Sequence, residues 1–338
     1  MEDLSYNIIY AADDGFAEIL GVSLCSLFEN NQSVSSFNIK ILDSGISKQN
    51  KNKIVSIFKK YKRKLPEYIK PIDIEEKIGF NLRTDRGSMA QYSRLYLADL
   101  YPSSVKKVLY LDCDTIVLSS IEEIWNINLG DNIIAALNDA FSSLYRRNIG
   151  LRKTDIMFNS GVMLIDLDKW RKAKIEDQLT SFILMKQGNI QQGDQGALNA
   201  VLSTKTKVFS PRFNMVSIFY DLSYKEIELY RRPVRFYSEK EIIDAKKDPV
   251  IIHFTSSIYS YRPWFKESTH TEKKLWIKYL KKTPWSYSKL KSGRKTVKLK
   301  LVSVVFKITP KSIFFLIGGL FQAYLRPLKN TFLYSKNK

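Results

Sequence analysis

Val108-Leu-Tyr-Leu-Asp-Cys-Asp-Thr-Ile-Val117 runs four apolar residues into two carboxylates. An apolar run this short reads as a buried β-strand that stops at Asp112 and Asp114. Alternate residues of an extended chain share a face, so the two acids point the same way. Two carboxylates side by side repel and lose water at a cost. A hard divalent cation resolves both problems, because Mg²⁺ and Mn²⁺ take oxygen ligands and bring a phosphate with them. The same pair also fits a plain strand end entering a turn, where Asp is common.

Working outward, the chain before this stretch alternates strands and helices. Tyr6–Ala12 reads as a first strand buried on both faces, ending at Asp13-Asp-Gly15. Residues 16–30 carry apolar residues at helical spacing. Phe37–Leu42 is a second strand, Ser47 a cap for a helix over about 48–61, and Glu67–Ile74 a third strand. This βαβαβ order predicts a mainly parallel, Rossmann-like sheet flanked by helices, with ligands beyond the carboxyl ends of the strands. Residues 88–100 read as a helix that carries Arg94 and turns Tyr92, Leu95, Tyr96 and Leu97 inward. After Asp114 come strands at Ile133–Leu137, which ends at Asn138-Asp139, at Phe158–Ile165 and at Val250–Phe254.

Composition narrows the chemistry. The 338 residues carry 54 basic and 34 acidic side chains, a net charge of +20, and 44% are hydrophobic. That balance favours an anionic partner, and the apolar content excludes a wholly disordered chain. Cys25 and Cys113, the two cysteines, lie in apolar patterns and give no disulfide framework, which points to a reducing compartment. The acidic start Met1-Glu-Asp-Leu-Ser5 gives no signal-peptide pattern. Neither GxGxxG nor GxxxxGK[ST] follows the first strand, which weighs against dinucleotide-binding and P-loop enzymes. The Ala11-Ala-Asp13-Asp14 turn is too acidic to cradle a phosphate but suits a base or ribose; it also suits a helix cap. Asp194 and Gln195 stand side by side ahead of a helix, as site residues or as caps. His253, one of only two histidines, ends an apolar strand; such a ring is commonly just packed or exposed, but its imidazole would suit Mn²⁺ beside the two acids. From Ser286 to Lys338 there are lysines and arginines but no acid, with apolar runs at 302–306 and 313–325. The second run is shorter than the roughly 20 residues a membrane span needs, so it reads as an amphipathic anchor on anionic lipid; it also fits an ordinary basic helical cap on the domain.

In order, Tyr10-Ala-Ala-Asp-Asp14, Gln91-Tyr-Ser-Arg-Leu95, Leu109-Tyr-Leu-Asp-Cys-Asp114, Phe158-Asn-Ser-Gly161, Gly193-Asp-Gln195, Arg212-Phe-Asn214, Ile252-His-Phe254 and Arg262-Pro-Trp264 resemble the motifs of glycosyltransferase family 8. This family includes bacterial lipopolysaccharide galactosyl- and glucosyltransferases and glycogenin. The resemblance spans roughly residues 6–265. It implies an α/β GT-A fold, taken here over residues 1–285, and the change in composition marks 286–338 as a basic amphipathic helical tail. It implies retaining, metal-dependent transfer of a hexose from a UDP-sugar, UDP-glucose or UDP-galactose, to a glycan or glycolipid of lipopolysaccharide or capsule. By position, Asp112, Asp114 and His253 would bind Mn²⁺, with Mg²⁺ as the other candidate. Ala11 and Asp13 would meet the uridine. Cys113 would stand among the donor contacts. Arg94, Asp139, Asn159, Asp194 and Gln195 would lie by the donor sugar. Gln195 matches the position debated as nucleophile or front-face stabiliser. The family's lipopolysaccharide enzymes often place a Gly and a Lys between the histidine and Pro-Trp. Here residues 255–261 form a longer stretch without Gly, and Arg262 stands where Lys is usual. A guanidinium still grips phosphate bidentately.

The expected location is cytoplasmic, peripheral on the inner face of the plasma membrane. Two other readings fit parts of the pattern. A sugar nucleotidyltransferase also uses carboxylates and Mg²⁺, but it wants a Gly-rich basic loop after the first strand. A non-enzymatic basic binder of membrane or nucleic acid fits the charge. Acids clustered at the strand ends would repel a nucleic-acid backbone, so no nucleic-acid partner is expected.

Overall fold

The computed structural model describes residues 5–79, 82, 92, 94–256, 261–293, 306 and 309–335. Among the described residues, ten strands form two sheets: β1 Ser5–Ala12, β2 Ser36–Asp43, β3 Glu67–Ile69, β4 Lys107–Leu111, β5 Thr115–Val117, β6 Ile134–Asn138, β7 Phe158–Asp166, β8 Thr206–Val208, β9 Met215–Val216 and β10 Ile251–His253. The seven-stranded sheet has the order β3-β2-β1-β4-β7-β6-β8. Its pairs are parallel except where β7 runs antiparallel to β4 and β6. The expected α/β architecture with a mainly parallel sheet is what the chain adopts.

Period-two alternation builds a core on each face. Tyr6, Ile8, Tyr10, Leu109 and Leu111 pack with the helices Ala17–Glu29, Lys48–Lys60 and Lys273–Leu280. Ile9, Val108 and Tyr110 face the other way, onto Leu167–Lys172, Ile175–Met185 and Gly193–Leu202. Strands buried on both sides need near-continuous apolar runs, which β1 and β4 supply.

The sequence reading is corrected at three places. The third strand is only Glu67–Ile69. Pro71 cannot donate to a ladder, and the Asp73 carboxylate caps the short helix Ile74–Ile78 by accepting from Glu76 N. Of residues 88–100, 88–91 and 93 lie outside the described residues, and Ala98–Leu100 is a 3₁₀ turn rather than the end of a long helix. The stretch 108–117 divides between the two sheets. β4 ends at Leu111, residues 112–114 turn, and β5 joins the three-stranded sheet β5-β10-β9.

That second sheet matters most for the site. β10 pairs antiparallel with β5, setting His253 opposite Thr115, and parallel with β9, setting it opposite Val216. Phe254 N donates to the Asp114 carbonyl at 2.8 Å. Sheet pairing therefore carries a histidine from late in the chain to the two acids.

Beyond residue 293, three consecutive helical segments, Lys311–Leu320, Phe321–Leu325 (a π-helical turn) and Arg326–Ser335, lie against the body. Phe315, Gly319 and Ala323 form the buried face. A side chain at 319 would sit 2.0 Å from the Leu229 carbonyl oxygen, so glycine permits this close crossing. Among the described residues no helix is long and apolar enough to cross a membrane.

Candidate active site

The site lies where β4, β6 and β10 end and β7 begins. The three-residue turn after β4 brings Asp112 and Asp114 to His253. His253 Nε2 is 3.2 Å from Asp114 Oδ1 and 3.6 Å from Asp112 Oδ2. The remaining oxygen of each acid is already engaged. Asp112 Oδ1 accepts from Tyr110 Oη at 2.8 Å and pairs with Arg94 at 3.0 Å. Asp114 Oδ2 pairs with Arg262 at 3.1 Å. Burial pushes the Tyr110 phenol well above its ordinary range, so it stays protonated as a donor.

The far side of the imidazole is fixed as well. His253 Nδ1 lies 3.0 Å from Asn214 Oδ1. Asn214 Nδ2 donates to Asn159 Oδ1 at 3.0 Å, which also accepts from Gly161 N. This chain assigns the proton to Nδ1 and aims the Nε2 lone pair at the carboxylates. One nitrogen and two carboxylate oxygens, one from each acid, all within 4.8 Å of one another, fit a divalent cation of the Mn²⁺ or Mg²⁺ class. Gly161 leaves the space: a Cβ there would lie 2.2 Å from His253 Cε1 and 2.8 Å from Asp112 Oδ2.

A bulge shapes the floor. Between β6 and β7 the pairing jumps from Ala136–Met163 to Leu137–Asn159, which leaves Ser160, Gly161 and Val162 without a partner on β6. Arg94, 7% exposed, crosses this floor. Its Nε is 2.7 Å from Asp194 Oδ2 and its Nη1 donates to the Ser160 carbonyl at 2.9 Å. Burial opposes the Arg94 charge, but Asp112 and Asp194 outweigh it and hold the guanidinium firmly protonated. Asp139 accepts from Asn159 Nδ2 at 3.2 Å. Gln195, in the first turn of the Gly193–Leu202 helix, accepts through Oε1 from Ser160 N at 3.2 Å and Ser160 Oγ at 3.3 Å.

Of the residues named from sequence, Arg94, Asp112, Asp139, Asn159, Asp194, Gln195 and His253 line one cavity of about 400 Å³. Asp114 and Arg262 join it through the ion pair beneath. Cys113 is buried, with its thiol donating to the Ala11 carbonyl at 2.9 Å, so the first-strand turn abuts the acid turn. Asp13 caps its own turn, accepting from Phe16 N at 3.1 Å. In the loop after His253, residues 257–260, including Ser257 and Ser260, lie outside the described residues. Sequence reasoning missed the roles of Tyr110, Ser160 and Asn214.

The sequence model described as "Glycosyl transferase family 8" matches residues 7–268. The chain belongs to glycosyltransferase family 8. General stress protein A of Bacillus subtilis is 26% identical over 288 residues, covering 84% of this chain and 96% of that one. The lipopolysaccharide 1,2-glucosyltransferase of Escherichia coli is 22% identical over 298 residues, covering 87% of this chain and 83% of its own. Among solved structures, the galactosyltransferase LgtC in complex with donor and acceptor sugar analogues superposes with a TM-score of 0.68 at 25% identity. That match covers 82% of this chain and 96% of LgtC. The match confirms the GT-A type of α/β fold expected from the motifs. A family 8 glycosyltransferase takes a nucleotide-sugar donor and a glycan acceptor.

Proposed function

We propose that this family 8 enzyme transfers glucose or galactose from a UDP-sugar to a glycan or glycolipid, with retention of configuration and with Mn²⁺, or Mg²⁺, at Asp112, Asp114 and His253. The observation that carries the reading is the convergence of Asp112 Oδ2, Asp114 Oδ1 and His253 Nε2 beside the Arg94–Asp194 pair. A divalent cation held there would offset the charge of the departing diphosphate. Arg262, beside Asp114, is placed to hold a phosphate oxygen. In this reading the first-strand turn at Ala11 and Asp13, against which Cys113 packs, would meet the nucleoside.

On the sugar side, Arg94 is oriented by Asp112 and Asp194, and Asp139 by Asn159. Gln195 is an amide, a poor nucleophile, and its Oε1 is already held by two donors from Ser160. This favours same-face attack, with Asp194 and Gln195 steadying a sugar that gains positive charge as UDP leaves.

The membrane reading rests on the C-terminal helices. Ile313, Leu316, Ile317, Leu320, Phe321, Leu325 and Leu328 are exposed along the face opposite the docked one, with Lys311 and Lys329 on the same run. Such a face suits the headgroup region of an anionic bilayer, where a lipid-linked acceptor of lipopolysaccharide or capsule type is presented on the cytoplasmic side. In this reading residues 1–285 are the catalytic domain and 286–338 the membrane-facing tail.

The test is a donor screen. Purified full-length protein with Mn²⁺ is given UDP-glucose, UDP-galactose and their N-acetyl forms, and UDP release is followed. Slow hydrolysis of one UDP-hexose is expected. Release of pyrophosphate from UTP plus a sugar phosphate would instead make it a nucleotidyltransferase.

A further inference from the structure

The cavity has a second group of lining residues that the donor chemistry does not use. Arg231 ends the helix Tyr224–Arg231, and Gln322 and Arg326 come from the C-terminal helices. Arg326 Nη1 lies 3.4 Å from Gln322 Oε1, and Gln322 Nε2 donates to Tyr145 Oη at 3.1 Å. Arg231 and Arg326 line the same cavity, and the charges of both oppose the rise that burial imposes on the Tyr145 phenol.

These cations differ from the other arginine in the cavity. Arg94 is held by Asp112 and Asp194. Among the described residues, neither Arg231 nor Arg326 has a carboxylate partner, and the buried Nε of Arg231 has no hydrogen-bond partner at all. Two neighbouring guanidiniums repel each other, and a partly buried N–H left unmade costs free energy. An anion with two or more oxygens removes both penalties, because a guanidinium grips phosphate or carboxylate through paired N–H donors.

We propose that Arg231 and Arg326, joined by Gln322, form an anion subsite for a phosphate or carboxylate group on the acceptor. This rests on the donor site assigned above, which already provides cations for the diphosphate through the metal cluster and Arg262. The pair comes from elements that supply nothing to that cluster. The subsite thus makes the C-terminal helix part of the substrate-binding wall, and selects acceptors bearing a phosphate monoester or diester, or a uronate.

The experiment uses full-length protein saturated with UDP and Mn²⁺, so that the donor site is filled. Glycerol 3-phosphate, glucuronate and uncharged methyl glucoside are titrated separately by calorimetry. Saturable binding of a charged probe, with methyl glucoside at least about tenfold weaker, is expected, since a charge-assisted bond is worth that factor. Preference for glycerol 3-phosphate identifies a phosphate-bearing acceptor; preference for glucuronate identifies a uronate. Arg326→Gln and Arg231→Gln should each weaken the charged probe about tenfold, and Arg326→Glu, at an exposed position, should remove binding. Unchanged binding in these variants, or methyl glucoside bound as well as the charged probes, overturns the subsite. If the variants lose UDP affinity instead, the pair serves the donor diphosphate and the acceptor inference is wrong. Failure of wild-type protein to bind UDP would refute the donor reading, a separate result.

Discussion

Asn214 Oδ1 meets His253 Nδ1 at 3.0 Å, on the side of the ring away from Asp112 and Asp114. The contact fixes the tautomer that a metal site needs, and Asn159 holds Asn214 in turn. Asn214→Leu should therefore weaken Mn²⁺ binding by roughly 10- to 100-fold, the usual effect of losing the hydrogen bond that orients a ligating histidine. Titration calorimetry with Mn²⁺ measures it, and an unchanged affinity would remove Asn214 from the account.

Gly161→Ala tests the space beside the cluster. The added methyl would lie 2.2 Å from His253 Cε1, and β7 cannot yield because Asp112 N bonds the Gly161 carbonyl at 2.7 Å. We expect metal binding and donor hydrolysis to disappear, while overpacking costs about 1–3 kcal/mol and the circular dichroism spectrum stays native. A variant that still binds Mn²⁺ as tightly as wild type would show that the imidazole can move.

How much of this was legible in sequence depends on how local the signal is. β4 and the apolar stretches of β1 and β7 announce themselves because both faces are buried there, and β2 because its buried apolar residues alternate with half-buried polar ones. The two acids and His253 stand out because polar groups end such runs. The convergence itself was not legible as drawn. Alternation in one strand was the expected device, but a turn between two sheets is the actual one, and β5, β9 and β10 have two or three residues each. Asn214 reads as a loop residue until β9 is known to lie beside β10. Glu67–Ile74 was overextended because Pro71 and the Asp73 cap stop the strand early. The docking of the C-terminal helices depends on Gly319 meeting the Leu229 carbonyl, a contact no periodicity encodes.

His270 gives the fold a pH dependence of its own. It is buried between Phe254 and Tyr220, and its Nδ1 accepts from Glu272 N. Burial, with Lys246 nearby, pushes its pKa down from 6.5 to about 4. Protonation therefore favours the unfolded chain. The stability tied to this group is complete above about pH 6.5 and is lost as pH falls towards 4, by an amount on the order of 3 kcal/mol. Urea unfolding at pH 7.5 and 4.5 should show a smaller loss for His270→Phe than for wild type. Equal losses would mean the imidazole does not couple folding to pH.

The exposed apolar face of the C-terminal helices predicts lipid binding without a spanning segment. Leu316→Asp with Phe321→Asp alters only exposed positions, Phe321 being 64% exposed. The double variant should stop sedimenting with phosphatidylglycerol-containing vesicles, with a stability change within about 0.5 kcal/mol. Undiminished sedimentation would move the anchor elsewhere.

The central claim is that Asp112, Asp114 and His253 form one metal centre that serves a UDP-hexose donor. The most direct measurement is the rate of UDP release from UDP-glucose and UDP-galactose by chelator-treated full-length protein as Mn²⁺ is added back, beside Asp112→Ala and His253→Ala. The account predicts no activity without metal, saturable recovery with Mn²⁺ in the wild type, and none in either variant. Full donor turnover by the metal-free protein, or by either variant, would contradict it.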